Sequence, residues 1–149
     1  MIEESFSEVY KKFKIRYYQN VFAQAPNREL SLTTIEAFCA EIIGALNNPT
    51  INEFASFINI SSPNATYRVN SLIQKGYVEK VQSETDKREY HLRVTDKYYK
   101  YYNISQAYVD TVLKRVKERC SREDIDAFDR VLTIMKDELM PEVGFGQTK

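Results

Sequence analysis

Residues that bend or interrupt a chain are scarce in this sequence. It has only four glycines and four prolines among 149 residues, so long loops are not expected and helices should dominate. No apolar run approaches the roughly twenty residues needed to cross a bilayer. The acidic start, Met1–Glu4, is unlike a secretory leader. We therefore expect a cytoplasmic protein that has no membrane partner.

Residues that bind metals or act as nucleophiles are also few. The two cysteines, Cys39 and Cys120, are too few and too far apart to suggest a disulfide scaffold or a zinc site. There is no glycine-rich phosphate loop and no nucleophile elbow, and the single histidine, His91, cannot complete a catalytic constellation. We therefore predict no catalytic residues, no metal and no cofactor, and the protein is not expected to be an enzyme.

Two short helices are predicted in the middle of the chain. Thr50 and Glu53 have the spacing of a capping box, and the apolar stripe that follows indicates a helix ending near Asn59. A second helix is predicted to start at Ser61, because a serine can cap free N–H groups and Pro63 already has a helical φ.

The second helix has one apolar and one polar face. Ala65, Val69 and Leu72 are predicted to face inward, and Gly76 is the expected left-handed residue at its end. A polar outer face can simply be solvated, but tyrosine, arginine and asparagine within two turns favour contact with base edges and phosphates. The predicted DNA-binding residues here are Ser61, Ser62, Pro63, Asn64, Thr66, Tyr67, Arg68 and Asn70.

A β-hairpin with a polar loop is predicted next. Residues 77–81 and 90–94 have the composition of short strands, and residues 82–89 between them contain no hydrophobic anchor. We predict that this loop projects as a wing, in which Lys87 and Arg88 bind DNA and Asp86 orients the arginine. The alternative is a simple turn pair, and the neighbouring helix favours the DNA contact.

The order and spacing of these residues resemble those of MarR-type transcriptional regulators. The resemblance implies a mostly α fold with a small β-hairpin wing: a winged helix-turn-helix with N- and C-terminal dimerisation helices. The chain departs from the family where Tyr98 replaces a usual glycine and where the wing lacks glycine. The resemblance is carried by Thr50, Glu53, Phe54, Ala55, Ile60, Ser61, Val69, Leu72, Lys75, Gly76, Glu79, Lys80, Ser83, Asp86, Lys87, Arg88, Leu92, Val94 and Thr95.

Apolar stripes outside this region are too extensive for the winged segment to cover. They predict an N-terminal helix, a long helix beginning at Tyr98, and a last helix after Ser121. In the resembled family such helices interlock two protomers. We therefore predict a helical dimerisation region at 1–30 and 98–140, a winged helix-turn-helix DNA-binding region at 31–97, and a tail at 141–149.

Charge is balanced overall but not along the chain. The sequence has 21 acidic and 21 basic residues, which alone argues against nucleic acid. Residues 61–100, however, hold eight Lys or Arg against five Asp or Glu, whereas residues 31–60 hold three acids and no base. The basic excess therefore falls on the proposed DNA reader.

These observations favour a sequence-specific DNA-binding transcriptional regulator. We expect a homodimer that binds double-stranded DNA at a pseudo-palindromic operator, represses by blocking polymerase, and is released by a small ligand. The resemblance implies a small aromatic or lipophilic ligand, with Tyr10, Tyr17, Tyr98 and Tyr102 as its candidate contacts; packing is their alternative role. The alternative function is a winged-helix protein–protein interaction module without sequence-specific DNA binding.

Overall fold

The fold is mostly helical with one small sheet. The computed structural model describes residues 1–23, 32–102 and 104–144. The predicted fold class is confirmed by the order of elements and by the two-stranded antiparallel sheet. In chain order, the elements are α1 (Ile2–Ala23), α2 (Thr34–Ala45), α3 (Ile51–Ile58), α4 (Ser62–Gln74), β1 (Val78–Gln82), β2 (Tyr90–Val94), α5 (Asp96–Tyr102), α6 (Ile104–Arg119) and α7 (Arg122–Glu138).

Local capping determines where several helices start and end. In α2, α3, α4 and α7 a hydroxyl side chain at the N-cap accepts a hydrogen bond from the backbone N–H three residues later. Asn59 ends α3 in the left-handed conformation, and Gly76 follows α4 with φ 81°. The predicted boundaries of both helices are therefore confirmed. The four capping residues are Thr33, Thr50, Ser61 and Ser121.

The hydrophobic core lies within the winged region. Its buried residues begin at Leu32 and extend to Tyr98, so they come from α2, α3, α4, the hairpin and the start of α5. Cys39 is among them, as a small core residue. The largest fully buried side chains include Phe54, Tyr77 and Leu92. This core gives α4 a fixed platform.

The hairpin is extended by the chain before α3. β1 and β2 pair in an antiparallel register with Val78 opposite Val94. His91 forms an isolated bridge with Thr50, and its Nδ1 lies 2.8 Å from the Asn48 carbonyl oxygen. The histidine therefore joins the hairpin to the chain before α3. β1 starts one residue later than predicted, because the Tyr77 N–H bonds to the carbonyl of Leu72 at the end of α4.

The terminal helices pack against each other but leave much apolar surface exposed. α1 contacts α6, where Phe13 meets Tyr108 edge to face with ring centroids 5.8 Å apart. α7 has no buried residue at all over its 17 residues.

The helix after the wing begins earlier than predicted. It starts at Asp96 rather than Tyr98, because the Tyr99 N–H already bonds to the carbonyl of Thr95. The two segments α5 and α6 take the place of the predicted single helix, and residue 103 between them lies outside the described residues. Part of the predicted tail, residues 145–149, also lies outside them. No helix in the described ranges is long and apolar enough to cross a membrane.

Candidate nucleic-acid interface

The second helix of the helix-turn-helix is α4. Its apolar face is buried in the core, so its polar face lies in solvent. Ala65, Val69 and Leu72 have no exposed surface. At the start of α4 the Ser62 hydroxyl donates to the Asn52 side chain in α3 at 3.3 Å. The core and this contact together fix the position of α4 relative to α3.

Most of the predicted DNA-binding residues on α4 are exposed. The exceptions are Thr66 and Arg68, which are half-buried at the edges of the outer face. Tyr67 lies near the middle of that face and is 72% exposed, with the Arg68 guanidinium 6.0 Å from its ring centroid. The exposed members of the set are Ser61, Ser62, Pro63, Asn64, Tyr67 and Asn70.

Arg68 also lies close enough to α2 to interact electrostatically with Cys39. Burial raises the pKa of the Cys39 thiol, and the positive charge of Arg68 opposes that rise. Arg68 therefore lies between the core and the outer face of α4. Helical spacing alone does not show this partial burial.

A buried carboxylate on α2 holds the other end of α4, and sequence reasoning missed it. Glu36 is only 6% exposed. Its two oxygens accept hydrogen bonds from the Ser71 hydroxyl and the Lys75 ammonium, both at 3.1 Å. Burial raises the pKa of the carboxyl, but hydrogen bonds to Lys75, Thr33 and Ser71 and the charge of Lys75 outweigh it, so the pKa is lowered.

The wing loop is ordered by its own hydrogen bonds. The Ser83 N–H donates to the Glu89 carbonyl at 2.9 Å, and the Gln82 side chain donates to the Lys87 carbonyl at 2.7 Å. These bonds close the loop at its base, so that the residues between them are presented beyond the hairpin.

Asp86 and Arg88 interact as predicted. Asp86 Oδ1 accepts from the backbone N–H of Arg88 at 3.0 Å and from its Nε at 3.3 Å. The backbone hydrogen bond and then the side-chain hydrogen bond lower the pKa of Asp86. The Arg88 side chain is 92% exposed. The carboxylate thus orients the base of the arginine, while most of its guanidinium stays accessible.

Ion pairing divides the cations of residues 61–100 into two groups. Lys75, Arg88 and Arg93 each pair with a carboxylate, and Lys97 donates to a backbone carbonyl. Within the described part of the chain the remaining four make no ion pair, so their charge is available to a phosphate backbone. These four are Arg68, Lys80, Lys87 and Lys100.

The four tyrosines predicted to contact a ligand do not form one described cavity. Tyr17 is half-buried against the core that contains Tyr98, whereas Tyr10 is 57% exposed. The side chain of Tyr102 lies outside what the structure describes. A cleft of about 580 Å³ does exist between the end of α2, β2 and the start of α5, and Tyr99 is among its lining residues.

Possible metal ligands are not clustered. Among the described residues no group of three or more His, Cys, Asp or Glu side chains is arranged to hold a metal ion. Cys120 is exposed at the end of α6, far along the sequence from the buried Cys39.

Comparison of the sequence with known proteins finds the MarR family. Residues 32–90 match the model of that family. A stretch of 50 residues is 36% identical to the HTH-type transcriptional regulator BilQ of Clostridioides difficile. This match covers 34% of this chain and 34% of that protein, so the chain spans about a third of its relative's length.

Two solved structures share the fold over nearly the whole chain. Streptococcus pneumoniae FabT, crystallised in complex with DNA, has a TM-score of 0.61 at 22% identity and covers 93% of this chain and 94% of its own. The structure of S. aureus MepR bound to ethidium bromide matches with a TM-score of 0.60 at 15% sequence identity. The match covers 94% of this chain and 97% of the MepR chain. The resemblance to MarR-type regulators is therefore confirmed for residues 32–90, which match the model of that family, and the chain shares its fold with these two solved structures.

Proposed function

We propose that this protein is a sequence-specific DNA-binding transcriptional regulator. The observation that carries the proposal is the polar outer face of α4, held beside a wing whose exposed Arg88 is oriented by Asp86. A helix with such a face fits the major groove, where base edges are read. The wing arginine would then reach the flanking minor groove, whose negative potential attracts arginine.

The fold comparison is consistent with this assignment. FabT, which shares the fold, was crystallised in complex with DNA. The MarR family match covers α2, α3, α4 and the wing, which are the elements that carry the proposed DNA contacts. Both observations support double-stranded DNA as the partner of the winged region.

The regulator is proposed to act as a homodimer. α7 buries none of its residues, and its apolar stripe includes Phe128 and Leu132, which are 46% and 36% exposed. α1 likewise exposes Phe6 and Val9 by about half. A second copy would cover these surfaces, which supports assigning 1–30 and 98–140 to dimerisation and 31–97 to DNA binding. Two winged regions related by a two-fold axis would then bind a pseudo-palindromic operator.

Repression is the proposed output, because a dimer on a promoter would block polymerase. The proposed location is the cytoplasm, because the protein would need access to chromosomal DNA. Release by a small aromatic or lipophilic ligand is also proposed, since Tyr17 packs against the core to which Tyr98, in α5, also belongs. Such a ligand would release DNA only if it bound the free form better than the DNA-bound form.

The ligand proposal can be tested with small phenols and with aryl or fatty carboxylates. A true ligand should raise the melting temperature of the free protein and release labelled operator in the same concentration range. If no compound does both, and peroxide instead releases operator in a manner that requires Cys120, the switch is a redox one and the tyrosines only pack.

The DNA-binding proposal is tested by selecting genomic fragments that the purified protein retains, and then measuring their affinity against random DNA. With roughly six phosphate contacts per dimer, affinity should fall about a thousandfold between about 50 and 200 mM salt. Lys87→Ala should reduce this salt dependence, whereas Lys117→Ala on α6 is a matched control that should not. A DNA affinity that changes with neither salt concentration nor sequence would favour the alternative function, a protein–protein interaction module.

A further inference from the structure

The chain that leaves α4 is bonded directly to the chain that begins α5. Three consecutive carbonyl oxygens are involved. The Lys75 carbonyl accepts from the Lys97 ammonium, the Gly76 carbonyl accepts from the Thr95 hydroxyl at 2.6 Å, and the Tyr77 carbonyl accepts from the Thr95 N–H at 3.0 Å. The end of the proposed reading helix is therefore attached to the start of α5 without passing through the wing.

Lys97 has a second contact that holds it in this position. Its ammonium lies 4.6 Å from the ring centroid of Tyr77, which is 1% exposed. The last carbonyls of a helix lack intrahelical donors and carry the negative end of its dipole, so an ammonium placed there is favourable. Lys97 thus supplies a charged donor to a helix end that would otherwise need water.

The same turn of α4 is also bonded to α2. While the Lys75 carbonyl accepts from Lys97, the Lys75 ammonium pairs with the buried Glu36 at 3.0 Å. The end of α4 is therefore fixed from two sides, by α2 and by α5. Because Tyr98 is buried in the core next to Lys97, α5 begins inside the same rigid unit.

We propose that Thr95 and Lys97 are positioning residues that fix the angle between the reading helix α4 and α5, and thereby set the spacing of the two reading helices in the dimer. The inference rests on the proposed function, because it requires a homodimer with two winged regions. A tilt of α4 relative to α5 changes the separation between the two copies of α4 in the dimer. A dimer that binds two half-sites loses affinity when their spacing no longer matches that separation.

The spacing can be measured without DNA by electron–electron distance spectroscopy. Gln74 is exposed at the end of α4, so Gln74→Cys in a Cys120→Ser background places one spin label on each protomer, while Cys39 stays buried. We expect one narrow distance distribution. Lys97→Met, which keeps an apolar stem but removes the donor, should broaden or shift it, and Thr95→Val should act in the same direction. Lys117→Met, which changes an exposed cation on α6, should leave it unchanged.

A second measurement uses operators whose half-sites are moved apart by one base pair at a time. The otherwise unmodified protein should prefer one spacing by about tenfold, and Lys97→Met should reduce that preference to about threefold or less, with affinity for an isolated half-site unchanged. The Lys117→Met control should keep the full preference.

The outcomes separate this inference from the proposed function. A distance distribution and a spacing preference that are both unchanged in Lys97→Met and Thr95→Val would overturn the positioning role while DNA binding stands. If the substitutions change the distance distribution but the unsubstituted protein binds no DNA, the positioning role is supported and the proposed function is contradicted. If the unsubstituted protein showed no distance between labels, the dimer itself would be absent and the inference would fall with it.

Discussion

At the residue scale, the decisive polar group is a carboxylate that is buried rather than exposed. Glu36 joins α2 to two residues of α4, Ser71 and Lys75. A buried acceptor with two side-chain donors is costly to disturb, because each donor is left without its partner. The orientation of the outer face of α4 therefore depends on a side chain that is buried beneath it.

Glu36→Gln should destabilise the protein by about 1–3 kcal/mol at neutral pH, because a charged acceptor is replaced by a neutral amide. The pKa of Glu36 is lowered from 4.5 in the folded state, so its contribution to stability is present above that value and is lost as pH falls through the folded-state pKa. Urea unfolding of both proteins should therefore show a difference that shrinks as the pH is lowered below about 4.5.

Glu41→Gln on the exposed side of α2 is the matched control and should change stability little at any pH. If Glu36→Gln is as stable as the parent at neutral pH, the pairing with Lys75 contributes nothing. If the difference does not change with pH, the loss comes from packing and not from the charge.

The limits of sequence reasoning are clear at this residue. Thr33 and Glu36 have capping-box spacing, which by itself explains an acid at that position. Its bonds to Ser71 and Lys75 span 35 and 39 residues, and no local pattern reports such a contact. In contrast, Asp86 and Arg88 lie two residues apart in a turn, so their pairing could be predicted and is confirmed.

At the element scale, local signals predicted the helix-turn-helix well and long-range effects changed the details. The caps Thr50, Ser61 and Gly76 are determined by neighbouring backbone groups, so the bounds of α3 and α4 agree with the prediction. Arg68 is half-buried and acts electrostatically on Cys39 in α2, which is distant in sequence. The DNA-facing roles of these elements stay predictions.

Substitutions in α4 and in the wing should weaken DNA binding in different ways. Asn64→Ala, or Arg68→Ala, should relax preference at particular base pairs and cost about 1–3 kcal/mol on the preferred operator. Arg88→Ala should weaken binding to all sequences with similar flanks, because a wing arginine positions the protein in the minor groove. Affinity for operators mutated one base pair at a time distinguishes the two patterns.

Gln74→Ala at the far end of α4 is the control for general damage to the helix. It should leave both affinity and base preference unchanged. Equal losses on operator and random DNA for Asn64→Ala, Arg68→Ala and Arg88→Ala would mean that α4 is not the element that reads sequence.

At the scale of the whole molecule, the distribution of apolar surface is the main unexplained feature of a single chain. The winged region has a closed core, whereas α7 has none of its residues buried, and Leu139, which caps its C-terminal end, is 65% exposed. Helical periodicity could predict that these stripes exist. How two copies would cover them could not be predicted, because that packing depends on residues of another chain.

The dimer is therefore the last prediction. The chain of 17.5 kDa should sediment as a species of twice that mass at micromolar concentration. Leu132→Asp should yield monomers and abolish tight operator binding, because a charge in the apolar interface is costly and one winged region cannot span two half-sites. Thr133→Asp adds the same charge about 100° around α7 from Leu132, outside the apolar stripe, and should preserve both. A stable monomer of the parent chain, or a Leu132→Asp dimer that still binds operator, would exclude α7 as the dimer contact.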